Sequence, residues 1–136
     1  MQRILEQDSS TGLQAATREK IMRLIADNAG ELSQDLYGNY VVQHVLRFAG
    51  KSLRKLVIET LMSAPVDYAC HKYASNVLEE ALASSDREDR KMMIRTIVSV
   101  PRRGDGGDSL NMLTTNRFGN YVVQKMLDVN CTQRRH

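Results

Sequence analysis

Gly38-Asn39-Tyr40-Val41-Val42-Gln43 reads GNYVVQ, and the same six residues recur at Gly119 to Gln124. Between them stands a variant, ASNVLE, at Ala74 to Glu79. Widened, the stretches align as LYGNYVVQHVL from Leu36, KYASNVLEEAL from Lys72 and RFGNYVVQKML from Arg117. Each opens on an aromatic residue (Tyr37, Tyr73, Phe118), then a small one, a polar position, a flat side chain, two apolar residues and Gln or Glu. Asn39 and Ser75 are 36 residues apart, whereas Ser75 and Asn120 are 45 apart. The nine surplus residues are matched by PRRGDGGDS, Pro101 to Ser109, whose glycines and proline have no place in a helix interior. A period of this size marks a solenoid, in which each unit buries its apolar face only against its neighbours.

Upstream of each motif lies a longer helical pattern. TREKIMRLIADNAG carries Ile21, Leu24 and Ile25; SLRKLVIETLMS carries Leu53, Leu56, Val57 and Leu61; REDRKMMIRTIVSV carries Met93, Ile94, Ile97 and Val98. These spacings of three and four form one apolar stripe per helix. Gly30, Pro65 and Pro101 are expected to close these helices. ELSQD, VDYACH and LNMLTT leave room for only a short helix before each motif. The motif itself predicts a third helix: Val41 with Val45, and Val42 with Leu46, share a face that can point into the stack. Asn39 and Gln43 lie one above the other on a different face beside Tyr40, an exposed strip. Tyr37, Tyr73 and Phe118 are expected to fill the core between units. The predicted fold is thus an all-α solenoid of three-helix repeats at about 12–48, 49–84 and 86–130, with an insertion at 101–109.

Composition fits this reading. The chain has 136 residues, 42% apolar and only 5% aromatic with no Trp, so the core is built from Leu, Ile, Val, Met and Ala, which suit helices. A net charge of +3 is a weak pointer to a polyanionic partner. Cys70 and Cys131 are too few and too far apart for a disulfide framework or a zinc site, and adjacent Cys70 and His71 do not suit one metal. No apolar run reaches the length of a membrane span and MQRILEQDSS has no signal-peptide core, so a reduced, intracellular, non-membrane protein is expected. Gly104 to Gly107 precede no Lys-Ser/Thr pair and form no phosphate loop; Arg103-Gly104-Asp105 and Asn130-Cys131-Thr132 are coincidences in a chain without an export signal. Without a carboxylate cluster or a nucleophile signature, no enzyme, metal or cofactor is expected.

The registered motifs resemble the Pumilio (PUF) RNA-binding repeat, a right-handed α-solenoid in which each repeat reads one base with two or three side chains. The resemblance implies that the first and fifth motif residues touch the base edge and the second stacks. Base-edge residues are then Asn39 and Gln43, Ser75 and Glu79, and Asn120 and Gln124; stacking residues are Tyr40, Asn76 and Tyr121. Chemistry supports the assignment independently. Amides carry donors and acceptors to match the alternating edge of uracil, while the acceptor-only carboxylate of Glu79 suits the two adjacent donors of guanine. Stacking contributes about 1–3 kcal/mol per base. Because family arrays run antiparallel to their RNA, the three repeats spell 5′-UGU-3′ from the C-terminus. His44, Arg47, Lys72, Arg117 and Lys125 are candidate phosphate contacts.

The resemblance further implies a cytoplasmic regulator of messenger RNA that binds 3′ untranslated regions and recruits translational repressors or deadenylation machinery. Family arrays generally carry eight capped repeats. Residues 1–8 align with the tail of a preceding recognition helix, which makes Gln2 a possible further base-edge residue, and uncapped ends imply marginal stability, self-association or a fragment of a longer protein. The rival expectation is a helical-repeat scaffold for proteins, or an array without independent RNA binding. A scaffold has no reason to place Asn/Gln, Ser/Glu and Asn/Gln in register.

Overall fold

A computed structural model of the chain describes residues 2–99 and 109–134, with side chains at 12–99 and 109–129. The described residues form nine helices and no strand: α1 (Gln2–Asp27), α2 (Ala29–Ser33), α3 (Gly38–Phe48), α4 (Lys51–Met62), α5 (Pro65–Ala69), α6 (Ala74–Ser84), α7 (Arg87–Ser99), α8 (Ser109–Thr115) and α9 (Gly119–Arg134). They stack in three layers of one long, one short and one motif helix. The long helices α1, α4 and α7 form one row, and the motif helices α3, α6 and α9 another. This is the expected all-α solenoid.

The apolar periodicity explains the layers. Leu53, Val57, Ile58 and Leu61 on α4 are buried, as are Val77, Leu78, Ala81 and Leu82 on α6 and Met93 and Ile97 on α7. They join one cluster that runs from Met22 to Met126. Each of the Leu, Ile, Val and Met side chains contributes about 1.5–3 kcal/mol by leaving water, and Ala81 less.

Arginines finish two motif helices. Arg54 donates from Nη1 to the Ala49 carbonyl at 3.3 Å, and Arg90 donates from Nε and Nη2 to the carbonyls of Leu82 and Ser85 at 3.0 and 2.9 Å. These bonds satisfy carbonyls left without intrahelical partners and place positive charge at the negative end of the helix.

Several expectations are corrected. Gly30 does not close the first helix: α1 ends at Asp27 and Gly30 lies inside α2. Pro65 follows α4 at a distance and opens α5, where its missing N–H is not needed. From Gln2 onward the segment 1–8 runs without a break into the rest of α1. Val41 is 41% exposed although its counterparts Val77 and Val122 are fully buried, because among the described residues no layer stands on the α1 side of α3 to cover it. Tyr37 does not fill the core: it is 76% exposed, while Tyr73 and Phe118 are half-buried under Lys72 and Arg117 at 5.5 and 5.0 Å from the ring centres. The insertion at 101–108, with Pro101, and the side chains of Gln2 and Cys131 lie outside the described residues.

Candidate functional site

The motif helices are set by the turn before them. Asp35 Oδ2 accepts the backbone N–H groups of Tyr37 and Gly38 at 2.9 and 2.7 Å. Asn116 Oδ1 does the same for Phe118 and Gly119, both at 2.8 Å, and His71 Nδ1 for Tyr73 and Ala74 at 3.1 and 3.2 Å. A carboxylate, an imidazole and an amide thus do one job, satisfying donors that a helix start leaves open. As an acceptor at Nδ1, His71 carries its ring proton on Nε2. The two backbone bonds, that from Gly38 first, hold the Asp35 carboxyl below its ordinary range. These residues were missed in the sequence because they differ in type, although each stands four residues before the first motif position.

The first motif residue is less open than expected. Asn39 is 1% exposed, with Nδ2 donating to the carbonyls of Asp35 and Leu36 at 2.9 and 2.8 Å. Asn120 repeats this toward Asn116 and Arg117 at 2.9 and 3.0 Å. Ser75 is also buried and donates to the Lys72 carbonyl at 3.3 Å. The expectation of an exposed polar pair is therefore corrected at Asn39 and Ser75: both close the turn behind the helix start.

Asn39 and Asn120 also orient the fifth residue. Gln43 Nε2 donates to Asn39 Oδ1 at 3.0 Å, and Gln124 Nε2 to Asn120 Oδ1 at 2.9 Å. With one amide hydrogen committed, each Gln keeps one N–H and its Oε1 for a partner, a side-by-side donor and acceptor. Glu79 stands at the corresponding place on α6. Burial pushes its carboxyl up, and the charge of Lys125 opposes that shift.

Gln43 and Glu79 meet in an open, polar depression of about 380 Å³ lined also by Tyr40, Asn76, Glu80, Ala83 and Lys125. Tyr40 and Tyr121 present exposed rings, and Asn76 is exposed between them in the row. The structure brings one of the candidate phosphate contacts, Lys125, into the depression. Arg47 instead pairs across layers with Glu80 at 3.0 Å, and His44 rests on Phe48 at 4.6 Å beside the apolar groove of α1. Lys72 and Arg117 lie over the aromatic residues that follow them. Glu80 was not foreseen: beyond Arg47 it accepts from Ser84, and its place one residue after Glu79 was the available signal.

Comparison with known proteins places this arrangement. The family model for the Pumilio-family RNA binding repeat matches residues 28–62, 66–98 and 110–136. It counts each repeat from the short helix rather than the long one, so its boundaries are offset from 12–48, 49–84 and 86–130 along the same periodic array. Fem-3 mRNA-binding factor 1 of Caenorhabditis elegans is 32% identical over 117 residues, which are 83% of this chain and 19% of that protein. The structure of PUF-6 in complex with 5BE13 RNA superposes with a TM-score of 0.81 at 29% identity, over 91% of this chain and 35% of that one. The Puf3 RNA binding domain bound to a Cox17 RNA 3′ UTR recognition sequence gives 0.70 at 31% identity, over 82% and 36%. The chain thus spans about a fifth to a third of the lengths of these proteins.

Proposed function

Because the chain belongs to the Pumilio family of RNA-binding repeat proteins, we propose that it binds single-stranded RNA along the α3, α6 and α9 row and reads a 5′-UGU-3′ core. Gln43 and Gln124, oriented by Asn39 and Asn120, each offer uracil a donor and an acceptor. Glu79 offers guanine an acceptor for each of two adjacent donors. Tyr40, Asn76 and Tyr121 supply flat surfaces for stacking. In this reading Asn39 and Asn120 act chiefly by fixing the turn and the glutamine amides, and Ser75 by closing its turn, with the second lone pair of each Oδ1 and the Oγ lone pairs remaining for the base edge. Gln2, which aligns in sequence with the fifth motif position of a preceding repeat, is a further candidate reader in this proposal.

The observation that carries the reading is the register of Gln43, Glu79 and Gln124 along one row of parallel layers, with exposed flat side chains beside them. The mechanism is recognition without catalysis or cofactor. The printed names of the relatives, an mRNA-binding factor and a domain bound to a 3′ UTR sequence, support messenger 3′ untranslated regions as the RNA source. The role that follows is cytoplasmic control of translation and message stability through repressors or deadenylation machinery. Exposed Ile21, Val41 and Leu127 on the two end faces support self-association as a further property of this chain.

Fluorescence anisotropy tests the reading: a short labelled RNA containing UGU is compared with its UAU counterpart at one fixed salt concentration. Preference for UGU, lost in Glu79→Gln with the helical fold intact, is the expected result. Equal binding of both RNAs would leave phosphate attraction alone, and binding of neither would favour the scaffold.

A further inference from the structure

Two carboxylates stand side by side in the depression, and their surroundings differ. Glu80 is neutralised on the spot: Arg47 donates from Nε to Oε1 at 3.0 Å, with Nη2 also 3.0 Å from that oxygen, and Ser84 donates to Oε2. Glu79 makes no ion pair of this kind among the described residues. The groups that line the depression with it are Tyr40 and Gln43 from α3, Asn76 and Glu80 from α6, and Lys125 from α9, while Arg47 of α3 is committed to Glu80. Lys125 therefore supplies the positive charge available to Glu79, from the sixth motif position of the next layer. That position is not uniform along the array, being His44 in the first copy and Glu80 in the second.

We propose that Lys125 is a specificity-determining residue whose ammonium keeps Glu79 ionised beneath bound RNA, so that the middle repeat selects guanine rather than adenine. The inference rests on Glu79 being the guanine reader. Its chemistry is asymmetric. An ionised carboxylate is acceptor-only and fits N1–H and N2–H of guanine, whereas a protonated carboxyl offers one donor and one acceptor, which fit N1 and N6–H of adenine. Loss of the charge would change which base is preferred as well as how tightly it is held. Burial already disfavours the ionised form of Glu79 in the free protein, and a base covering the depression removes more water from it. A counter-charge from the neighbouring layer offsets both.

The test uses the full chain as wild type, Lys125→Met and Lys125→Arg, with UGU and UAU RNAs titrated at constant ionic strength from about pH 5 to 8. In the wild type the preference for UGU declines as acid protonates Glu79. In Lys125→Met the half-point of that decline moves up in pH, so selectivity on its acid side falls severalfold, and Lys125→Arg restores it. Carbon NMR of the Glu79 carboxyl in the free protein should show the same upward shift in Lys125→Met, without needing RNA. A uniform loss of affinity for both RNAs, with an unchanged selectivity profile and an unchanged Glu79 titration, would make Lys125 a phosphate contact and overturn the proposal. Wild-type protein that binds RNA without preferring guanine at any pH would instead sink the assignment of Glu79, and this inference with it.

Discussion

Leu82 and Leu127 occupy the same position in two copies of one helix, yet Leu82 is fully buried and Leu127 is 64% exposed. The opposite end mirrors this: Ile21 is 53% exposed, while its counterparts Val57 and Met93 are fully buried. Inside the stack, each layer covers the apolar stripe of the one before it. At the faces of α1 and α9 no further layer does so among the described residues. Burial in this fold is thus a property of a residue together with the next layer, and identical sequence acquires different energetic weight by position. The strip proposed to read bases behaves differently, because it runs along the edges of the layers and is present in each of the three repeats.

The largest expected effect comes from truncating the buried member of the pair. Leu82→Ala should lower the free energy of unfolding by about 2–5 kcal/mol, and Leu127→Ala by less than about 1 kcal/mol, in urea denaturation followed by circular dichroism. Equal losses that grow with protein concentration would mean that another copy covers the α9 face in solution.

A smaller difference is expected between equivalent turns. A Cβ at Gly38 would stand 2.6 Å from the Leu32 carbonyl oxygen and one at Gly119 2.9 Å from that of Leu113, yet the middle copy carries Ala74. Gly38→Ala should cost about 1–3 kcal/mol and Gly119→Ala less; a neutral Gly38→Ala would show that the turn before α3 relaxes as the turn before α6 has.

The smallest effect belongs to the ion pair that links the first two layers. A double-mutant cycle on Arg47 and Glu80 should return about 0.2–1 kcal/mol of coupling that falls with added salt, because Arg47 is half exposed. Coupling well above that range would mean that the layers are held by charge as much as by their apolar faces.

Much of the molecule was legible before any coordinates. The repeated GNYVVQ and its ASNVLE variant set the period, the stripes set the helices, and the fifth motif residues fell on one row. Three kinds of residue were misread for physical reasons. Asn39 and Ser75 are polar, and polarity was equated with exposure, although a short side chain at a helix start can bond back to the turn carbonyls and vanish from the surface. Tyr37 is aromatic and was assigned to the core, although a ring at the edge of a layer is covered only if something stacks on it. Asp35, His71 and Asn116 share no chemical type, so alignment by identity passed over a position defined by accepting two N–H groups.

By itself, the sequence determined what is periodic and local here: helix, turn, the interval between layers, and the chemical type of each side chain along the motif row. Those follow from spacing along one chain. Tertiary structure alone decided which of three equivalent leucines is exposed, that Arg47 neutralises Glu80, and that Lys125 of one layer lines the same depression as Glu79 of another. Each of these depends on the separation between side chains 33 or more residues apart, or on the presence of a covering layer, and neither is encoded in any single repeat.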